Sequence, residues 1–345
     1  MQSTMMDAVI FESIGHAKVV KHPVPQLTHP DDVIIRVERA SICGSDLHLL
    51  ADPPGYPATP GVIIGHECVG TVVEIGDAVT TVQPGDRVIF DPNIPCGKCH
   101  YCQIGMPNMC EKLLLLGFAA NGVFAQYTKC AEKVIVPISK NVPLDQAALA
   151  EPMNCVMGGV KKIKLLAGES VLILGGGPIG LLYAMMLRVN GAGKVFVSEV
   201  SKIRTEYAKK IGVDKVFNPM TQNISEEVRA STNGLGVDVV VDAVGILFAD
   251  AIDCARKGGR LLLFGQNFAK MQTIKQNEIT RKCLTVMGSY IGDYTFPAVA
   301  RLLECGSTDP SVIVSKHYKL TDFQDALAAM RSGTEMKVLL HPWAD

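Results

Sequence analysis

Short alternating or β-branched runs, VIIRVERA, GTVVEIG, DRVIF and KVIVPI, recur through the first 155 or so residues and are separated by Pro and Gly turns. Alternation of this kind buries one face of a strand, so this part of the chain reads as an irregular β domain. From about residue 165 the rhythm changes. Apolar strands at VLIL, KVFVSE, VDVVVDAVG, GRLLLFG and CLTVMGSY alternate with segments of helical period, which predicts a parallel sheet wrapped by helices. Beyond about residue 291, FPAVARLLECG and DFQDALAAM predict two helices and KVLLHP a last strand, expected to pack back on the first domain. No internal repeat or low-complexity tract interrupts this order. At 345 residues the chain exceeds one ordinary core, and two are expected.

Charge removes two classes of partner. With 33 basic against 34 acidic side chains, a net charge of -1 gives no long-range attraction for a phosphate backbone or an anionic membrane. No stretch offers the ~18 consecutive apolar residues of a spanning helix, and MQSTMMDAVIFESIG lacks a basic segment followed by an apolar run. A cytoplasmic location is therefore expected. The 11 cysteines are odd in number and lack a secretory context, which points to metal ligands and core thiols rather than a disulfide framework.

In VLILGGGPIG, Gly175, Gly177 and Gly180 form G-x-G-x-x-G between a buried strand and the start of a helix. The first glycine permits a tight turn, the second lets backbone approach a pyrophosphate, and the third lets helix and strand pack closely. Pro178 and Ile179 lie inside this turn, and Val244 follows the later strand VDVVVDAVG; all three belong to the expected coenzyme site. The strand KVFVSE ends at Glu199, near the offset at which a carboxylate holds the adenosine ribose and repels a 2′-phosphate. NAD is the expected coenzyme. Arg204 pulls the other way, since an arginine there can hold a 2′-phosphate, stack on adenine or stay solvated. A lone glycine triplet can be a mere turn; strand, turn, helix, second strand and terminal acid in order make coenzyme binding the better reading.

Cys96, Cys99, Cys102 and Cys110 have the spacing C-x2-C-x2-C-x7-C. Four thiolates on one loop can close a tetrahedral zinc shell with no open position, the arrangement of a structural site. An iron–sulfur cluster is the competing reading, but the last spacing is not that of the bacterial ferredoxin run. His100 inside the loop reads as a solvated bystander. Elsewhere Cys43 in SICGSDLHLL, His66 and Glu67 in GVIIGHECVG, and Glu151 in ALAEPMNC supply a Cys, a His and carboxylates, enough for a three-ligand zinc site with a position left for substrate. Singly, Cys43 and His66 are as well explained as core residues.

GSD after Cys43, the GHE triplet, the four-cysteine loop, the EP pair at Glu151 and the glycine-rich turn, in that order, resemble the zinc-containing medium-chain alcohol dehydrogenases, most closely the sorbitol and polyol dehydrogenase branch. The resemblance spans essentially the whole chain. It implies an α/β protein with a GroES-like β-rich catalytic domain over residues 1–155 and 291–345, a Rossmann doubly wound parallel-sheet domain over 156–290, and an active site between them. It also implies two zinc ions per chain, one catalytic and one structural, and a homodimer or homotetramer. On this resemblance Cys43 and His66 are ligands, and Glu67 and Glu151 compete for the next place. Ser45 bonds the substrate alcohol, Asp46 supports the histidine, and His48 ends a proton relay to solvent. Leu49 and the pair Ile291 and Gly292 stand where the sorbitol branch has an aromatic hydroxyl and an Arg-Tyr pair. This predicts a short vicinal diol or amino alcohol as a better substrate than a long polyol. L-Threonine 3-dehydrogenase or a sugar-phosphate or aminocyclitol dehydrogenase is the alternative within the family. A non-catalytic zinc-binding member, a zinc-ribbon module and a zinc-free quinone reductase are the alternatives outside this activity.

Overall fold

The computed structural model describes residues 4–267 and 269–343. It divides into two compact units, one comprising Met1–Pro152 with Asp293–Asp345 and the other Met153–Gly292.

In the first unit the strand Asp32–Ser41 is the centre of a seven-stranded sheet. Val33, Ile35, Val37 and, past a register irregularity between Val37 and Arg39, Ala40 pack in one core cluster, and Ile34 on the other face is only 2% exposed, so this strand is covered on both sides there. It pairs antiparallel with Glu67–Ile75, and it is this ladder that positions chemistry: its last rung sets Ser41 opposite Glu67. The segment after one strand, Cys43 onward, therefore meets the segment before the other, which contains His66. The C-terminal strand Lys337–His341 adds to the same sheet with Leu339 opposite Ser41 and Leu340 opposite Ala40. The predicted helices fall at Phe296–Glu304 and Phe323–Ser332. A hairpin of Met5–Ser13 and His16–Pro23 was not distinguishable in the sequence from the other short runs.

The second unit is a six-stranded sheet, parallel throughout, of Ser170–Leu174, Lys194–Ser198, Lys215–Phe217, Val237–Asp242, Ala255–Leu263 and Thr285–Gly288. Numbered in that chain order, the strands lie 3-2-1-4-5-6, the doubly wound arrangement. The order in which strands are added reverses between the first and fourth strands, Ser170–Leu174 and Val237–Asp242, and it is at the carboxyl ends of such a switch point that doubly wound sheets bind ligands. The short strand Lys215–Phe217 escaped sequence reading because only three residues carry it.

Candidate active site and metal centres

The glycine turn follows the first of these strands, Ser170–Leu174, directly. Gly175 lies at φ +98°, and the helix Pro178–Val189 starts at once after Gly177, its N-cap, with Pro178 and Ile179 in its first turn. A Cβ on Gly180 would come within 1.9 Å of the Gly175 carbonyl oxygen, so only glycine lets helix and turn approach this closely. Glu199 is 5% exposed and its carboxylate is held by three backbone amides: Gly176 N–H donates to Oε2 at 2.7 Å, and Val200 and Ser201 donate to Oε1 at 2.8 and 2.7 Å. Arg204 places Nη1 4.0 Å from that carboxylate. Val244 packs its Cγ2 where a side chain on Gly175 would sit. The loop bearing Val244 is shaped by Asp242, which accepts hydrogen bonds from the amides of Val244, Gly245 and Leu247 at 2.8–2.9 Å. Sequence reading missed Asp242, although an acid closing the buried run Val239–Val241 is a usable signal.

In the first unit Cys43 is the N-cap of a short helix, Gly44–Leu49, and its amide donates to Asp46 Oδ2 at 2.8 Å. Gly65 at φ +86° makes the bend that delivers His66 to the start of the next strand. The ligand atoms of Cys43, His66 and Glu67 all fall within 4.8 Å of one another. Asp46 Oδ1 lies 3.4 Å from His66 Nδ1, which turns Nε2 toward Ser45 Oγ at 3.3 Å. Glu151 is buried at the start of the helix Ala150–Ile163 but lies outside that tight group among the described residues. His48 is exposed in the last turn of the helix Gly44–Leu49.

A residue absent from the sequence reading completes the cluster. Lys337, 3% exposed, donates from Nζ to Ile42 O at 3.0 Å and Glu67 Oε1 at 2.9 Å and lies 2.6 Å from Glu67 Oε2. Burial pulls its ammonium down, and the charges of Glu67, Cys43 and Glu151 more than offset this, leaving the pKa above the ordinary lysine range. Burial likewise lowers the His66 pKa, and Asp46 with Cys43 outweighs it, so the imidazole is held well above its usual range. Glu67 Oε2, His66 Nδ1 and Asp46 Oδ1 nonetheless have no aligned hydrogen-bond partner. A thiol, an imidazole and an incompletely satisfied carboxylate converging out of water, in surroundings that draw cations, fit a divalent metal such as zinc.

Beside this cluster, Phe118 stands 5.3 Å from the His66 ring, and Tyr56 packs edge-on against Phe118 at 5.7 Å. Leu49, by contrast, is fully buried in the domain core, so it cannot stand in for a substrate-binding hydroxyl. Gly292 is fixed by space: a Cβ there would come within 1.9 Å of Asn154 Nδ2.

The cysteine loop forms a second centre. Its Sγ atoms are 3.5 Å apart for Cys99 and Cys102, 3.9 Å for Cys99 and Cys110, and 4.0 Å for Cys96 and Cys102. Ligands ~2.3 Å from a tetrahedral zinc are about 3.8 Å apart, which these spacings bracket and a disulfide does not. Backbone amides of Lys98 and Cys99 pull the Cys96 thiol down to about 6, whereas burial and the neighbouring thiols push Cys102 up to about 12. Four such thiols ionise together only around a cation. His100 begins the helix His100–Gln103 and faces solvent. A separate cleft of about 460 Å³ includes Thr28, Asp32, Ile63, Leu114 and Lys129 in its lining. Its polar groups bond one another around Asp32, and it contains none of these ligand atoms.

A doubly wound domain with a glycine turn and a β domain carrying two zinc-type donor sets define a metal-dependent, nucleotide-linked oxidoreductase. Residues 29–140 match the alcohol dehydrogenase GroES-like domain, and residues 178–304 match the zinc-binding dehydrogenase family. The chain belongs to the zinc-binding alcohol dehydrogenases. It is 33% identical to D-arabinitol dehydrogenase 1 of Uromyces fabae over 98% of this chain and 97% of that one. It is 34% identical to an L-threonine 3-dehydrogenase of Caldanaerobacter subterraneus subsp. tengcongensis over 94% of this chain and 95% of that one. A protein of Sinorhizobium meliloti 1021 described as a zinc-binding dehydrogenase, solved with NADP bound, superposes with a TM-score of 0.94 at 33% identity, covering 99% of this chain and all of that one.

Proposed function

We propose that this chain oxidises a small secondary alcohol, a polyol, vicinal diol or amino alcohol, with NAD as hydride acceptor and with Cys43, His66 and Glu67 holding the catalytic zinc. The observation that carries this reading is the convergence of those three ligand atoms beside Ser45 Oγ. Glu151 is the alternative carboxylate donor. When bound, zinc supplies Lewis acidity that lowers the pKa of an alcohol oxygen. Ser45 accepts the alcohol proton, Asp46 fixes the His66 ring, and exposed His48 passes the proton to water. Phe118 and Tyr56 exclude water beside His66. The Cys96, Cys99, Cys102 and Cys110 loop holds a second, structural zinc.

For the coenzyme, Gly175, Gly177, Pro178, Ile179, Gly180 and Val244 form the phosphate and ribose cradle. Glu199, held by three amides, favours a ribose hydroxyl over a 2′-phosphate. The Sinorhizobium relative binds NADP, and Arg204 gives this chain a group able to do so; the carboxylate acts at the discriminating hydroxyl itself and decides for NAD. No helix among the described residues is long and apolar enough to cross a membrane, in keeping with a cytoplasmic enzyme. Thr285–Gly288 is the last strand of its sheet, an edge at which a second copy can pair to build a homodimer or homotetramer.

The deciding experiment is a dehydrogenase screen with NAD and NADP against polyols, vicinal diols, amino alcohols and threonine, beside a zinc count. Two zinc ions per chain and NAD-linked oxidation of one of these classes are expected. Full activity with one zinc or none overturns the assignment.

A further inference from the structure

On the first unit, away from both donor sets just described, two histidines meet at the surface. The strands Val314–Lys319 and Lys337–His341 run parallel, with His317 opposite Leu339 and Lys319 opposite His341. His317 and His341 are thus diagonal neighbours, and His317 Nδ1 lies 2.7 Å from His341 Nε2, with the ring planes at 72°. Behind them Asp145, on the short helix Leu144–Ala147, places Oδ2 3.5 Å from His317 Nε2 and Oδ1 3.5 Å from Arg39 Nε.

We propose that His317 and His341 form a chelating site for a divalent transition-metal ion of the imidazole-preferring kind, nickel, copper or zinc, with Asp145 as its positioning residue. Two imidazole nitrogens each ~2.0–2.1 Å from one ion in cis positions are about 2.9 Å apart, close to the observed separation, so binding needs reorientation of the rings and little movement of the strands. At this contact one of the two facing nitrogens must bear a proton; when a metal takes that nitrogen's lone pair, the proton moves to the other nitrogen of the same ring, which stays neutral. Asp145 Oδ2, 3.5 Å from His317 Nε2, favours the tautomer with the proton on that nitrogen, which turns the Nδ1 lone pair toward His341; a carboxylate behind a histidine is the usual support of a metal-bound imidazole. His317 and Asp145 remain partly open to solvent, at 43% and 35% side-chain exposure, so water can fill the remaining positions. Burial, Arg39 and His317 hold the His341 pKa below its ordinary value, which keeps the ring neutral and able to bind a cation at neutral pH.

The chain provides its own reporter. Its single tryptophan, Trp343, lies two residues beyond His341, donates Nε1–H to Val37 O at 2.9 Å and is covered by Arg36 at 4.3 Å. The zinc-loaded protein is titrated with nickel chloride, and bound metal is counted after gel filtration. The expected result is saturable quenching of Trp343 with one nickel per chain above the resident zinc. His317→Gln or His341→Gln weakens binding at least tenfold, Asp145→Asn weakens it about 10-fold to 100-fold, and dehydrogenase activity stays unchanged in all three. Copper bound to the unmodified protein should show electron-spin hyperfine coupling to two imidazole nitrogens, a readout that needs no variant. Absence of stoichiometric nickel, binding unaltered in both histidine variants, or a copper spectrum without two nitrogens overturns the proposal.

Discussion

Replacing Lys337 by Met keeps most of the aliphatic stem and removes the ammonium, which makes it a sharp probe of the buried pair. Glu67 is fully buried, and Lys337 is its only cationic contact among the described residues. Stranding a carboxylate in this way costs about 3–5 kcal/mol. For a domain of this size each kcal/mol lowers Tm by about 2–4 °C, so the variant should melt roughly 6–20 °C below the parent. The cost should lie near the low end with zinc bound, since a neighbouring cation takes over part of the charge, and near the high end once exchangeable zinc is stripped. Trp343 emission reports the domain concerned. Adding Glu67→Gln to Lys337→Met removes the orphaned charge and should restore at least about 2 kcal/mol, a coupling that a double-mutant cycle isolates. Because the folded pKa of Lys337 is raised above 10.5, its contribution is complete below that pH and is lost only as pH rises through the higher folded value. Titration of Lys337 itself should therefore not narrow the gap between parent and variant below about pH 10. A loss below about 1 kcal/mol, or no recovery in the double variant, would refute this account of the pair.

The two metal centres should separate on mutation. Cys43→Ser is expected to lose one zinc and activity while melting near the parent, whereas Cys96→Ser loses stability first, as metal counts and thermal melts together would show. Glu199→Ser removes the carboxylate that repels a 2′-phosphate while Arg204 stays, and should cut the ratio of kcat/KM for NAD over NADP by tenfold or more; an unchanged ratio would mean the selectivity lies elsewhere. Asp242→Ala strips the acceptor from the amides of Val244, Gly245 and Leu247 and should raise KM for the coenzyme more than it changes kcat. It should also cost about 1–3 kcal/mol, measured by denaturation of the second unit, and equal KM values would count against a shaping role.

What the sequence reveals and what it hides follow from how far apart the partners are. Gly175, Gly177, Gly180 and the four loop cysteines act within one short segment, so spacing alone carries their geometry, and the period of the apolar runs carries the sheet that presents them. Cys43 and His66 are 23 residues apart, but both flank strands of one ladder, and a pattern of motifs in fixed order is enough to join them. Lys337 is different. It lies 270 residues from Glu67, and nothing in KVLLHP distinguishes a lysine that begins an edge of the core from one in solvent. Only the register of Lys337–His341 against Asp32–Ser41 shows that its side chain must enter the cluster. Leu49 gives the converse lesson. Its offset from Cys43 places it among substrate contacts by analogy, yet one turn of helix carries it into the core, while Tyr56 and Phe118, which no motif marks, come to stand beside His66. Metal chemistry demands fixed donors at short range and so leaves a trace in spacing. Substrate selectivity comes from the packing of separate loops, so it is at that level, in the surroundings of His66, that the preferred alcohol of this enzyme is set.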